Sequence, residues 1–72
     1  MPRVVAVIGA TGAVGREALE RLHRRGFPVG ELRAIASARS AGGSLPFAGG
    51  EVTVRALDER AIEGVQVAIL AA

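Results

Sequence analysis

The sequence has no Cys, Trp or Tyr, and its only aromatic residues are Phe27 and Phe47. The absence of Cys excludes disulfides, thiolate metal sites and a Cys nucleophile from these 72 residues, and no metal site is predicted. No apolar run reaches the 18 residues that a bilayer span needs, so no membrane partner is expected. The first residues lack the cleavage site of a signal peptide. These absences together favour a cytoplasmic protein.

Lysine is also absent, and all nine cationic residues are Arg. Residues 1–44 carry seven Arg against three Glu, a net charge of +4, whereas residues 45–72 carry a net charge of −2. A basic front half is compatible with nucleic-acid binding, but no aromatic residues are interleaved to stack on bases. The Arg residues are mixed with Glu along one predicted helix, which is typical of a solvated face. We therefore expect no nucleic-acid partner.

Two elements are predicted from the first 26 residues. Residues 4–8 form a continuous apolar run without alternation, which predicts a strand covered on both faces of a parallel sheet. Residues 13–25 show helical spacing, with Thr11 as the predicted N-cap and Gly26 as the glycine after the last turn. The helix is expected to pack on the sheet through an apolar row of Val14, Ala18 and Leu22. Leu19 lies beside this row.

The rest of the chain continues the alternation of strands and helices. A strand is predicted over 32–37, a hairpin over 45–57, a short helix capped by Asp58, and a last strand over 65–72. This order is typical of an α/β fold with a parallel sheet. The predicted architecture is the N-terminal part of a Rossmann-type sheet, with about three parallel strands plus a small hairpin. Residues 1–72 are accordingly expected to be a partial domain, the first part of a larger one.

A glycine turn joins the first strand to the first helix. Gly9 permits the tight exit from the strand, Gly12 lets phosphate oxygens approach, and Gly15 lets the helix pack close to the strand. Thr11 stands where the common dinucleotide fingerprint has a glycine, and its hydroxyl can cap the helix or donate to phosphate. The alternative is a turn with no ligand. The position between a buried strand and an amphipathic helix favours a phosphate site.

The stretch after the second predicted strand, "SARSAGG", bears on the choice of cofactor. NAD sites place Asp or Glu near this position to bind the ribose hydroxyls, and residues 37–43 contain no acid. Ser37, Arg39 and Ser40 offer a guanidinium and two hydroxyls instead. Such groups suit the 2′-phosphate of NADP, because Arg adds charge-assisted hydrogen bonds. The alternative is a solvated loop Arg.

Four segments resemble the opening of the aspartate-β-semialdehyde dehydrogenase family. They are "VAVIGATGAVGRE", "FPVGELRAIASARSAGG", "LPFAGGEVTV" and "LDERAIEGVQVAIL", which follow in the family's order over residues 4–72. "GATGAVG" and "SARSAG" together are the most specific part. N-acetyl-γ-glutamyl-phosphate reductase shares fold and chemistry, but it carries Ser and Tyr in the places of Thr11 and Ala13 and lacks the "SARSAG" loop.

The resemblance implies an oxidoreductase that uses NADPH to reduce β-aspartyl phosphate to aspartate semialdehyde and releases phosphate, in lysine (diaminopimelate), threonine and methionine biosynthesis. The family's Cys nucleophile and His acid/base have no counterpart here, so no catalytic residue is assigned. The sole His, His23, lies on the predicted exposed side of the helix. The catalytic and dimerisation domain is expected to be absent from this chain, which alone should be inactive, while the full-length enzyme should be a homo-oligomer, a homodimer in this family.

The resemblance also carries cofactor contacts onto particular residues. The pyrophosphate positions are Thr11, Gly12, Ala13 and Val14, beside Gly9, and the adenosine 2′-phosphate positions are Arg39, Ser40 and Ser37. Many relatives have Ser near Ala71, so at this position the chain departs from the family's pattern for a cofactor contact. Two alternatives stay open: a stand-alone, non-catalytic nucleotide-binding module, and the same segment of a related NADP-dependent acyl-phosphate or acyl-CoA reductase.

Overall fold

The computed structural model describes residues 3–71, which form one five-stranded sheet and two helices. Four of the strands, β1, β2, β4 and β5, run parallel, and β3 pairs antiparallel with β4. The spatial order is β3-β4-β2-β1-β5, which confirms the predicted α/β fold class. The elements are β1 (Arg3–Ile8), α1 (Ala13–Arg24), β2 (Val29–Ala36), β3 (Ser44–Phe47), β4 (Gly50–Ala56), α2 (Glu59–Ile62) and β5 (Val67–Leu70).

The central strand β1 is covered on both faces, as its unbroken apolar run predicts. Successive strand residues point to opposite faces. Val7 belongs to a buried cluster with Leu19 of α1, whereas Ala6 belongs to a second cluster with Ile35 of β2 and Ala61 of α2. The two helices therefore pack on opposite sides of the sheet. None of the helices in residues 3–71 has the length and hydropathy that crossing a bilayer requires.

The C-terminal end of α1 is closed as the sequence predicts. Gly26 has a φ of 66°, and its N–H donates to the carbonyl oxygen of His23 at 3.1 Å. The N–H of Phe27 donates to the carbonyl oxygen of Leu22, also at 3.1 Å. This pair of hydrogen bonds is the Schellman motif, which satisfies carbonyls that the helix would otherwise leave unpaired. Two i,i+4 ion pairs lie on the exposed face of the helix, Arg21 with Glu17 and Arg24 with Glu20.

The N-terminal end of α1 differs from the prediction in two ways. Gly12, not Thr11, is the N-cap residue, and no side chain caps the helix. Val14 does not pack on the sheet: it is 62% exposed, while Gly15 and Leu19 are buried. Consecutive helical residues are about 100° apart, so placing Gly15 against the sheet turns Val14 away from it. Only the later members of the predicted row, Ala18 and Leu22, pack against the core.

β2 begins at Val29, three residues before the start of the strand predicted over 32–37. The reason is pairing with β1. Arg3 lies opposite Val29 and donates its N–H to the carbonyl oxygen of Pro28 at 2.8 Å. Val4 then lies opposite Glu31, so Gly30 falls at an irregularity in the register. A tertiary partner for the backbone overrides the local turn preference of Pro and Gly.

The last strand is shorter than predicted, and β5 covers Val67–Leu70 of the predicted 65–72. Gln66 precedes it and exchanges two hydrogen bonds with Val4: its side-chain Oε1 accepts at 3.0 Å, and its N–H donates to the Val4 carbonyl at 2.9 Å. Residue 72 lies outside the described residues. The predicted cap of α2 is confirmed, because the Asp58 side chain accepts from the N–H of Ala61 at 2.7 Å.

The predicted hairpin is confirmed, and its second strand joins the parallel sheet. The turn between β3 and β4 consists of Ala48 and Gly49, with φ values of 51° and 83°. Two positive φ angles are the requirement of a type I′ turn, whose twist matches that of the flanking strands. Because β4 also pairs in parallel with β2, the sheet gains a fourth parallel strand within residues 3–71.

Candidate nucleotide-binding site

The glycine turn and the loop of residues 37–43 leave the sheet side by side. β1 and β2 are parallel neighbours, and their last paired residues are Ile8 and Ile35. The carbonyl oxygen of Ile35 accepts hydrogen bonds from the N–H of Gly9 at 2.8 Å and of Ala10 at 3.1 Å. The turn after β1 is thereby fastened to the end of β2. Both segments lie at the carboxyl edge of the sheet, where open α/β sheets bind their ligands.

The N-terminus of α1 offers hydrogen-bond donors at this edge. Among residues 3–71, the backbone N–H groups of Ala13, Val14 and Gly15 have no hydrogen-bond partner. Gly12, which precedes them, is exposed, and its own N–H donates to the Gly9 carbonyl at 3.2 Å. Unpaired N–H groups and the positive end of the helix dipole together favour an anion. The turn can therefore hold a phosphate group.

Gly12 and Gly15 have different roles in the turn. A Cβ atom at Gly15 would lie 2.2 Å from the Gly9 carbonyl oxygen and 2.7 Å from the Cα of Ala10, so the approach of α1 to the turn itself requires glycine. A Cβ atom at Gly12 would meet the Gly9 oxygen at an ordinary 3.6 Å, and its φ of −76° suits any residue. The packing therefore requires glycine at position 15 but not at position 12. Gly9 has a φ of 87°, in agreement with its predicted role at the strand exit.

The 37–43 loop begins with a single tight turn. The carbonyl oxygen of Ser37 accepts from the N–H of Ser40 at 2.9 Å and of Ala41 at 3.2 Å. Arg39 stands at the exposed tip of this turn. Within residues 3–71 its guanidinium makes no ion pair or hydrogen bond. The structure thus presents an unpaired cation and two serines on a loop next to the glycine turn.

Arg16 is a residue of the site that the sequence analysis missed. Its Nε donates to the carbonyl oxygen of Thr11 at 3.2 Å, which ties the first turn of α1 back onto the glycine turn. The glycine spacing contains no signal for this contact, because it depends on the path of the backbone between the two residues. The contact restrains the Thr11 carbonyl against the first turn of α1.

Two other residues lie apart from the glycine turn. His23 is exposed near the C-terminal end of α1, as predicted, and its ring meets that of Phe47 edge-on at 6.3 Å. A cavity of about 540 Å³ between α1 and the hairpin is lined by both rings and by Arg16, but by none of the residues predicted from the sequence to bind the nucleotide. Ala71 directly follows β5 on the other side of β1, and its N–H donates to the Ile8 carbonyl at 2.8 Å. Its methyl group provides no hydroxyl for a cofactor contact of the family's pattern.

Comparison with known proteins gives a consistent result. Residues 4–72 match the family described as the NAD binding domain of semialdehyde dehydrogenase. The chain is 46% identical over 71 residues to aspartate-semialdehyde dehydrogenase of Synechocystis, covering 99% of this chain and 21% of the relative. It is 49% identical over 69 residues to that of Aquifex aeolicus, covering 94% and 20%.

Solved structures agree with the curated relatives. The crystal structure of aspartate semialdehyde dehydrogenase II from Vibrio cholerae, complexed with ASA, superposes with a TM-score of 0.93 at 43% identity. The match covers 100% of this chain and 24% of that one. The chain therefore spans about one fifth of the length of its curated relatives. The matched family is described as NAD-binding, which supports a nicotinamide nucleotide as the cofactor class. On this evidence, the chain belongs to the NAD-binding-domain family of semialdehyde dehydrogenases.

Proposed function

We propose that this chain is the NADP-binding segment of an oxidoreductase that reduces β-aspartyl phosphate to aspartate semialdehyde with NADPH and releases phosphate. The reaction serves lysine, threonine and methionine biosynthesis. In this proposal the full-length enzyme is a cytoplasmic homodimer, and its catalytic Cys and His belong to a second domain. The family membership and the names of the relatives support the reaction class. The choice of NADP rests on residues of this chain.

Two neighbouring features of this chain carry the proposal. One is a set of unpaired backbone N–H groups beside an exposed glycine, and the other is an unpaired guanidinium. Gly12 is exposed, carries no side chain and directly precedes three unpartnered N–H groups. On the neighbouring loop, Arg39 has no acidic residue within 37–43 to neutralise it. A pyrophosphate suits the first feature and a 2′-phosphate suits the second. The donor set therefore fits NADP.

The residues of this chain would act only in binding and orientation. The N–H groups of Ala13 and Val14 donate to the pyrophosphate at the N-terminus of α1, beside Thr11. Arg39 and Ser40 hold the 2′-phosphate, with Ser37 next to them, and favour NADP over NAD because NAD has no 2′-phosphate for them to bind. When bound, NADPH supplies the hydride. The reacting groups on the substrate side come from outside these 72 residues, which contain no Cys.

The test is a comparison of nucleotides that differ only in the 2′-phosphate. ¹⁵N-labelled chain is titrated with NADP, NAD, 2′,5′-ADP and 5′-AMP, and dissociation constants are taken from amide chemical shifts. The chain has no Trp or Tyr for fluorescence. Arg39→Ala should weaken NADP and 2′,5′-ADP by about 1.5–3 kcal/mol and leave NAD and 5′-AMP nearly unchanged, because one charge-assisted contact is lost.

The control for this test is Arg25→Ala. Arg25 is also an exposed Arg, but it follows the C-terminal end of α1, at the opposite edge of the sheet. Its removal changes the net charge equally and should not alter the preference for the 2′-phosphate. An equal loss of affinity for all four nucleotides in Arg39→Ala would refute the role of Arg39. Failure of the unsubstituted chain to bind any of them would refute the proposed site.

A further inference from the structure

Gly42 ends the tight turn that carries Arg39 and Ser40. Its φ is 93°, in the region that side-chain-bearing residues rarely adopt. A Cβ atom at Gly42 would meet no atom within 4 Å, so space does not require glycine there. Glycine is favoured there because the backbone leaves the turn at a positive φ angle. Substitution at this position therefore perturbs the loop through its backbone angle alone.

The backbone beyond this turn is attached to the core of the sheet. The N–H of Gly42 donates to the carbonyl oxygen of Val54 at 2.9 Å, and the N–H of Val54 donates to the carbonyl oxygen of Gly43 at 2.8 Å. Val54 is 2% exposed and pairs with Ala34 of β2. The loop is thus held at one end by β2 and at the other by β4. Its exposed tip can keep a defined position only while both attachments hold.

We propose that Gly42 is the positioning residue of the 2′-phosphate site. Its left-handed conformation permits the attachment to Val54 and so fixes where Arg39 and Ser40 stand relative to the glycine turn. This inference rests on the proposed function, since it concerns the same site. It adds that selection of NADP over NAD depends on a residue that has no side chain and touches no ligand.

The experiment measures nucleotide preference in glycine variants. The preference is the ratio of the dissociation constants of 5′-AMP and 2′,5′-ADP, taken from amide shifts of the 72-residue chain. Gly42→Ala should reduce this ratio about tenfold, because relief of the strained φ displaces Arg39 from its contact. Gly42→Asn should retain more of the ratio, because Asn tolerates positive φ better than Ala. This variant also covers the case in which Gly42→Ala does not fold.

Two matched controls separate positioning from stability. Gly49 has a φ of 83° with no atom within 4 Å of its would-be Cβ, but it lies in the hairpin turn. Gly49→Ala should lower the urea midpoint and change the ratio less than about twofold, because it carries the same strain away from the loop. Gly43 has no positive φ, and its Cβ would lie 3.5 Å from the Ser40 carbonyl oxygen. Gly43→Ala should preserve the ratio.

The outcomes distinguish this inference from the proposed function. If Arg39→Ala lowers the ratio and both Gly42 variants leave it intact, the positioning role is refuted and the 2′-phosphate site stands. If Gly42→Ala and Gly49→Ala lower the ratio equally, the effect is general destabilisation and the inference is also refuted. If Arg39→Ala has no effect on the ratio, or 2′,5′-ADP does not bind the unsubstituted chain, the proposed function fails together with the inference.

Discussion

A methyl group at Gly15 should disrupt the packing of α1 on the glycine turn. Its nearest atoms would be the Gly9 carbonyl oxygen at 2.2 Å and two backbone atoms of Ala10 at 2.7 and 2.9 Å. Backbone atoms cannot rotate away as the end of a side chain can. To restore a contact of about 3 Å, the helix must move away from the turn by nearly 1 Å. A displacement of that size loses about a quarter to a half of the dispersion energy of the contacts that it opens.

The size of the effect follows from this displacement. Overpacking of this kind costs about 1–3 kcal/mol, and the retreat also loosens Leu19, which is buried on the sheet. Replacement of a helical Gly by Ala returns about 0.5–1 kcal/mol through backbone entropy. We expect Gly15→Ala to reduce the free energy of unfolding by about 1–2 kcal/mol, the difference between these terms, measured by urea denaturation followed by far-UV circular dichroism.

Gly12→Ala is the matched control, because its Cβ would make only an ordinary contact at 3.6 Å. Its stability should fall by less than about 1 kcal/mol, the scale of an N-cap change. Its affinity for NADP should fall, because the methyl group occupies the approach to the Ala13 and Val14 N–H groups. Equal stability losses in the two variants would refute the distinction between the packing glycine and the ligand glycine.

Two further predictions concern the contacts of Arg33 with α2 and the absence of catalytic turnover by this chain. Arg33→Met should lower the free energy of unfolding by about 2–3 kcal/mol. The Arg33 side chain is only 14% exposed, pairs with Glu31 at 2.7 Å, and donates to the carbonyl oxygens of Ala61 at 3.1 Å and Arg60 at 3.4 Å. Arg21→Met, which removes an ion pair from an exposed helix face, should cost less than about 0.5 kcal/mol in the same urea assay, and equal costs would contradict this account. The 72-residue chain incubated with NADPH and β-aspartyl phosphate should give no change in nicotinamide absorbance, and genuine turnover would contradict the assignment of the nucleophile to another domain.

The sequence predicted the elements whose signals are local. The apolar run of β1, the Gly26 end of α1, the Asp58 cap and the hairpin are all confirmed. Each depends on residues within a few positions of one another. The early start of β2 was missed because its hydrogen bonds come from β1, more than 20 residues away in the chain.

In the candidate site, too, the features with local signals were predicted and those that depend on packing were missed. The glycine turn and the acid-free loop were recognised from residue types and spacing, and the parallel pairing of β1 with β2 brings both to one edge. The expected cap by Thr11 and the expected burial of Val14 were wrong, because the close approach of Gly15 to Gly9 sets the rotation of α1. The contacts with the nucleotide stay predictions.

The order of residue types was sufficient to indicate an α/β sheet, a phosphate-type turn and the family, because these depend on hydrophobic period, glycine spacing and motif. Three-dimensional packing alone revealed that Gly15 must be glycine, whereas a Cβ atom at Gly12 would make only an ordinary contact. It also revealed the attachment of the Gly42 backbone to a buried strand and the contacts of Arg33 with the last turn of α2. The physical reason is that close approaches and long-range hydrogen bonds depend on the distance between backbones that are far apart in the chain. Spacing along the sequence carries no measure of that distance.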